Sequence, residues 1–203
     1  MLGKIVAVCV AAAAMAAVVP AAASASTAVP ALHATDTQAY LLDSSGSPIT
    51  SSTTLVVSGT ITFDTAASFT CDASFTITVN PDGTTAVKAP SSFANCTINI
   101  QSCSYSMAPL LDMGDRLVLD SSGDFRDRIN FSSTTTFSGA GCPFGPVFFR
   151  GELSPILTFD GSGALEMTFD GAAAGTIASG FGPAIATGTF TEQGTLGNYG
   201  LGI

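Results

Sequence analysis

Four cysteines, Cys71, Cys96, Cys103 and Cys142, constrain this chain more than any other feature. They lie near its middle, among short Thr, Val, Ile and Phe runs broken by Gly, Pro, Asp and Ser. In an exported chain such a set pairs into disulfides. Four cysteines permit three connectivities, and sequence alone does not choose among them. The strand pattern favours Cys71–Cys96 and Cys103–Cys142. Cys71 shares a strand face with Phe69, and Cys96 shares one with Ile98 and Ile100, so alternation points both to the core. The turn Asn80-Pro81-Asp82-Gly83 brings the intervening chain back beside the first of these strands. Cys103 follows Cys96 by one short step, and Cys142 sits in a Gly- and Pro-rich corner that can swing to meet it. No Cys-x-x-Cys spacing marks a reactive thiol, so a structural role is expected for all four.

Export itself is read from the first residues. Lys4 is followed by an apolar run from Ile5 to Val19, which Pro20 ends. Ala23-Ser24-Ala25 and Ser26-Thr27-Ala28 then offer the small-x-small pattern that signal peptidase accepts. Residues 1–25 are therefore expected to be a helical signal peptide, cleaved after Ala25 or Ala28. The run is short for a membrane-spanning helix. Cys9 lies inside it and leaves with it, so neither a lipid anchor nor a stable membrane anchor is expected after cleavage. Residues 26–48, rich in Ala, Thr, Ser and Pro without a sustained period, read as a lead-in linker. They carry the one histidine, His33, and a first short strand at Tyr40-Leu41-Leu42 before the turn Asp43-Ser44-Ser45-Gly46.

Residues 49–203 read as one all-β domain. Leu55 to Phe63 and Ser68 to Val79 alternate, the first with Val57, Gly59, Ile61 and Phe63 on one face. In the second, Phe69, Cys71, Phe75, Ile77 and Val79 share a face. Further strands are expected at 84–88, 94–100, 116–119, 127–137, 147–149, 156–159, 165–169, 175–179 and 184–191. Strands at this spacing with no helix between them favour an antiparallel β-sandwich or barrel. The recurring Thr-Phe-Asp-Gly at 158–161 and 168–171 is one strand plus one turn, not a solenoid repeat.

Charge and missing residues narrow the function. Losing Lys4 with the leader leaves five basic residues against fifteen acidic ones, a formal −10. Such a surface repels phosphate backbones, so no nucleic-acid partner is expected. With one histidine, in the lead-in, a Ser-His-Asp or Cys-His site has no base. No phosphate-binding glycine loop and no Gly-x-Ser-x-Gly elbow occurs, so no cofactor is expected. Zinc would need the cysteines assigned to disulfides. What remains is carboxylate chemistry of the glycosidase kind, with Asp112, Asp115, Asp124, Asp127, Glu152, Asp160, Glu166 and Asp170 as candidates. Most of these sit in turn-like contexts, and there is no Trp to floor a sugar cleft. Asp120, Asp124 and Asp127, within eight residues of one another, form a candidate calcium site, although Arg126 and Arg128, on either side of Asp127, can pair with these acids instead.

An Ala-rich leader precedes the Thr-, Gly- and Ser-rich domain, with "FTC" at 69–71, "SSFANC" at 91–96 and "SGAGC" at 138–142. This combination resembles small exported β proteins of high-GC Gram-positive (actinobacterial) genomes over roughly residues 55–190. The resemblance implies an extracellular or envelope-associated β domain and carries no catalytic residue over. The expected function is structural or binding rather than enzymatic, toward an extracellular or cell-wall ligand. The alternative is a carbohydrate-active or calcium-dependent glycan-binding domain. A concave face with two close carboxylates and an aromatic floor would favour that alternative, and a flat, Thr-covered face the binding role.

Overall fold

The computed structural model describes residues 32–108, 113–142, 145–160, 162–193 and 199–203. The expected signal peptide, its cleavage points, Cys9 and Asp112 lie outside them. Thirteen strands follow in chain order: β1 (Thr37–Gln38), β2 (Tyr40–Leu42), β3 (Thr53–Asp64), β4 (Ser68–Val79), β5 (Thr84–Ile98), β6 (Ser104–Met107), β7 (Met113–Leu119), β8 (Phe125–Ser138), β9 (Val147–Leu153), β10 (Ile156–Phe159), β11 (Leu165–Ser179), β12 (Gly182–Glu192) and β13 (Gly200–Gly202).

Alternation shapes the longest strands. β3 and β4 pair along their whole length, from Thr53↔Val79 to Asp64↔Ser68. Leu55, Val57, Ile61 and Phe63 from β3 meet Phe69, Cys71, Phe75, Ile77 and Val79 from β4 on the buried side. The Asn80-Pro81-Asp82-Gly83 turn then returns the chain as β5. In it the Thr84 N–H donates to Asp82 Oδ1 (3.0 Å). Gly83 sits at φ +76°, and a Cβ there would strike Gln38 and the Ala39 carbonyl, so only glycine fits.

The sheet closes on itself as an eight-position antiparallel barrel, which resolves the choice between sandwich and barrel. Around the ring β5, β4, β3, β12 and β11 are hydrogen-bonded neighbours. β8 completes the circle, with two short strands filling the gap on each side of it. β7 and β6 lie between β8 and β5, while β10 and β9 lie between β8 and β11. The β9–β10 line breaks at Ser154-Pro155 because proline has no N–H to donate to a ladder. There the Ser154 N–H reaches Ala174 O (2.6 Å), and Pro155 O accepts the Asp127 N–H (3.2 Å).

The two ends of the barrel are filled differently. One end carries Phe69, whose ring contacts those of Tyr105, Phe137, Phe149 and Phe181 at centroid distances of 5.4–6.0 Å. Both disulfides belong to this end, with the expected pairing. Cys71–Cys96 has a Cα separation of 4.1 Å and Cys103–Cys142 one of 4.9 Å. The Tyr105 hydroxyl donates to Cys71 Sγ (3.0 Å). The opposite end is aliphatic, lined by Leu55, Ile77, Val79, Leu117, Leu157 and Leu165. It is capped by a separate ribbon, β2 against β13, through which Leu41 and Leu201 reach inward.

Several regions depart from the sequence reading: the strands expected at 165–169 and 175–179 are one strand, β11, with an irregularity between Gly171 and Thr176, and β6 and β13 fall where no strand was expected. The strands expected at 84–88 and 94–100 are one strand, β5, crossing Pro90. Beside the proline, the Ser91 hydroxyl accepts the Thr76 N–H (3.0 Å) and donates to Lys88 O (2.6 Å), bridging the Thr76–Lys88 pair where the register shifts. The lead-in is also bound to the barrel. β1 pairs with β7, Ala39 and Leu41 are buried, and Asp36 holds the Arg128 guanidinium through both carboxylate oxygens (3.0 Å each). Ala, Thr and Ser there showed no period because only two or three residues pair at a time, each with a distant partner.

Candidate functional site

The outer wall of β11, β12, β3, β4 and β5 carries hydroxyl groups in register. One row runs Glu166, Thr191, Ser58, Ser74 and Ser92 across the five strands. The next runs Thr168, Thr189, Thr60, Asp72 and Ala94, and a third runs Asp170, Thr187, Thr62, Thr70 and Thr97. Neighbours within a row are about 4.8 Å apart, and rows are about 7 Å apart because every second residue faces out. Several neighbours are hydrogen-bonded: Ser58 to Ser74 (3.1 Å), Thr60 to Asp72 (3.1 Å) and Thr62 with Thr70 (2.9 Å). The outside is thus hydroxylated and the inside apolar, the reverse of a barrel that faces lipid.

A shallow trough of about 470 Å3 opens on this wall, lined by Ser58, Thr60, Asp72, Ser74, Ser92 and Ala94, with Gly59 and Ala73 between the rows. Gly59 makes the local close packing possible, since a Cβ there would strike the Thr189 carbonyl of β12. Asp72 is the one carboxylate among the described lining residues, and no aromatic ring lies among them. It is exposed, and its second oxygen accepts from Asn95 Nδ2 (2.8 Å). Asn95 sits at φ +50° beside a bulge, where Thr70↔Thr97 and Asp72↔Ala94 leave two β5 residues opposite Cys71. That extra residue restores the inward direction of Cys96, so disulfide and trough share one local irregularity.

The carboxylates singled out as catalytic candidates go elsewhere. Asp115 and Asp127 come together, but inside the barrel and without a cleft. Asp115 lies opposite Ile129 on β8, and Asp127 lies opposite Leu117 on β7, so the two acids are diagonal neighbours on the inner face. Asp127 accepts the Thr85 hydroxyl (2.8 Å). Asp115 is fully buried, and no donor reaches either of its oxygens in hydrogen-bonding geometry. Burial raises its pKa well above the ordinary range, the Asp127 charge adds to this, and the Asn130 backbone amide offsets it only in part. Burial raises Asp127 to about 6 against the pull of its Thr85 bond.

The calcium trio does not converge, because Asp127 points inward while Asp120 and Asp124 stand outside on Arg126. That guanidinium closes the seam where β9 gives way to β10. It donates to Asp120 Oδ2 (2.7 Å), Ser154 O (2.7 Å) and Ala173 O (3.4 Å), and lies near Asp124 (3.4 Å) and Asp170 (3.5 Å). Burial works against the Arg126 charge, but the bonds from Asp120 and Asp170 outweigh it and raise its pKa. Glu152 lies against Arg128 (3.4 Å) and His33 (3.3 Å). Asp160 accepts backbone N–H groups in its own turn (2.8 and 3.0 Å), and Glu166 stands in the first hydroxyl row. All four cysteines are bonded, so no thiol is left among them.

No protein-family model, curated protein or solved structure matches the chain. The functional reading therefore rests on geometry alone. Asp72 and the row residues Ser58, Thr60, Ser74, Thr168 and Thr189 were not singled out from sequence. The same alternation that buried Val57, Ile61 and Phe63 assigns Ser58, Thr60 and Thr62 to the outside, so the signal was present in the outward half of the pattern.

Proposed function

We propose that this chain is an exported, non-enzymatic binding domain of the cell envelope. In this reading the outer wall takes a polyhydroxylated ligand such as a cell-wall glycan, centred on the Asp72 trough. The observation that carries the proposal is the trough set in three registered rows of hydroxyls. Hydroxyls at a fixed spacing both donate and accept, which suits a polymer that repeats its own hydroxyls. Each such bond contributes about 1 kcal/mol net, so affinity would be the sum of many modest contacts. Export is supported by two disulfides, which persist in oxidising compartments. A non-enzymatic role is supported by the position of the acids: the adjacent pair is sealed in the core, and Asp72 stands in the trough without a second carboxylate.

The test is co-sedimentation of the purified mature chain with insoluble cell-wall polysaccharides, with and without calcium. Ser74→Phe, which fills the trough, and Asp72→Ala should each weaken binding at least tenfold while leaving the fold intact by circular dichroism. Binding abolished by a chelator would favour the calcium-dependent alternative. Binding indifferent to both substitutions would sink the assignment of the wall.

A further inference from the structure

Among the described residues, the capped end of the barrel holds three acids on its inner side and no cation. Asp115 comes from β7 and Asp127 from β8, while Glu192 on β12 accepts the Leu165 N–H with one oxygen (2.9 Å). Thr85 from β5 supplies a hydroxyl bonded to Asp127. The remaining elements facing it contribute Leu41, Leu55, Ile77, Val79, Leu157, Leu165 and Leu201, none of them charged. Alternation turns Arg116, Arg126 and Arg128 to the outer side, where Arg116 meets Gln38, Arg126 meets Asp120, and Arg128 meets Asp36. Two adjacent carboxylates in such a place cannot both stay charged without a counterion or donor. The cavity beside them measures about 10 Å3, room for no guest larger than one water. Asp127, the diagonal neighbour of Asp115 on the inner face, can supply the donor that Asp115 lacks once its carboxyl is protonated.

We propose that Asp115 and Asp127 hold a shared proton inside the barrel, and that losing it loosens the end capped by β2 and β13, so that acid tightens this fold and alkali slackens it. With one acid protonated, its hydroxyl can donate to the other, and the cavity wall carries at most one charge. With both ionised, two charges face Leu41 and Leu201, and water is drawn toward them. The ribbon that covers this end, held by the three residue pairs from Gly200↔Leu42 to Gly202↔Tyr40, is where it enters.

The sign follows from proton linkage. An acid whose folded pKa is raised binds its proton more tightly when folded, so its contribution to stability is greatest below the unfolded value. It declines as pH rises through the window between the two values. For Asp127 that window runs from 3.8 to about 6, which alone changes the folding equilibrium constant on the order of 100-fold. The turn acids Asp43, Asp82, Asp120 and Asp160 act oppositely. Their hydrogen bonds depress their pKa values, so they weaken the fold only as pH falls below 3.8. The two effects thus occupy separate ranges.

The experiment uses the mature chain. Aspartate carboxyl carbons are followed by NMR from pH 3 to 9, urea unfolding is measured at the same values, and amide exchange is compared at pH 5 and 8 after correction for intrinsic rates. Expected are two linked titrations above the ordinary aspartate range, and an Asp115 titration that moves down in Asp127→Asn. The folding equilibrium constant should fall about 100-fold between pH 4 and 7, relative to the Asp115→Asn/Asp127→Asn double variant. Protection should be lost at Leu42, Gly200 and Gly202 at least tenfold more than at Phe69 and Phe149. If the double variant does not fold, the titrations and exchange of the wild-type chain decide. Both acids titrating near 3.8, stability that is flat or rises from pH 4 to 7, or equal loss of protection at both ends would overturn the proposal.

Discussion

The barrel has one end built from rings and disulfides and another built from aliphatic side chains and acids. At the first, Phe69 sits among four other rings, and two covalent links hold the strands that carry them. At the second there is no covalent link among the described residues. A three-pair ribbon closes it, and its interior contains a fully buried acid whose oxygens have no donor in hydrogen-bonding geometry. The first end depends on the redox state of the surroundings, and the second on their acidity.

The largest break in this comparison should come from Cys71→Ala/Cys96→Ala. Releasing the 25-residue loop costs about 3.5 kcal/mol through the unfolded state. The buried Tyr105 hydroxyl also loses its acceptor, adding about 1.5 kcal/mol, so urea unfolding should show a loss of about 5 kcal/mol. Cys103→Ala/Cys142→Ala releases a longer loop of 39 residues, but this disulfide lies nearer solvent, so the loss should be about 4 kcal/mol. If the second pair proves the costlier, loop entropy and not burial governs this end. Phe69→Ala should also cost about 4 kcal/mol and flatten the near-ultraviolet dichroism. Leu41→Ala, in the cap, should cost about 3 kcal/mol and expose Leu42 and Gly200 to exchange before any amide of the aromatic end. Asp72→Ala, on the outer wall, should change stability by no more than about 0.5 kcal/mol, which separates the binding surface from both ends.

The aromatic end was far more legible in the sequence than the acidic one. Ser68–Val79 is a strand with the residues expected of it, and the inward alternation of Phe69, Cys71, Cys96 and Ile98 led to the right disulfides. Local pattern sufficed there because one strand and one turn decide which way a cysteine points. Asp127 shows the opposite. It shares the parity of Ile129 and Phe131, so alternation assigned it to the core, yet Asp in a short acidic run reads first as a solvated turn or metal ligand. Its burial depends on Thr85 and Leu117, which arrive from other strands. Gln38 and Asp36 were illegible for a related reason, since their partners Leu117, Arg116 and Arg128 lie 78 to 92 residues away. Closure was equally out of reach, because β8 is joined on each side by pairs of short strands that no local signal relates.

The β2–β13 ribbon also determines how the domain meets a mechanical load. Its strands are antiparallel, with Tyr40 opposite Gly202, so the chain entering β2 and the chain leaving β13 emerge side by side. Tension acting directly at Tyr40 and Gly202 would not slide the strands past each other but open the ribbon pair by pair, from Tyr40–Gly202 to Leu42–Gly200. Tension from the chain before β1 reaches Tyr40 only after the β1–β7 pairs and the Asp36–Arg128 bonds give way, so on that side the cap is shielded from load by the lead-in.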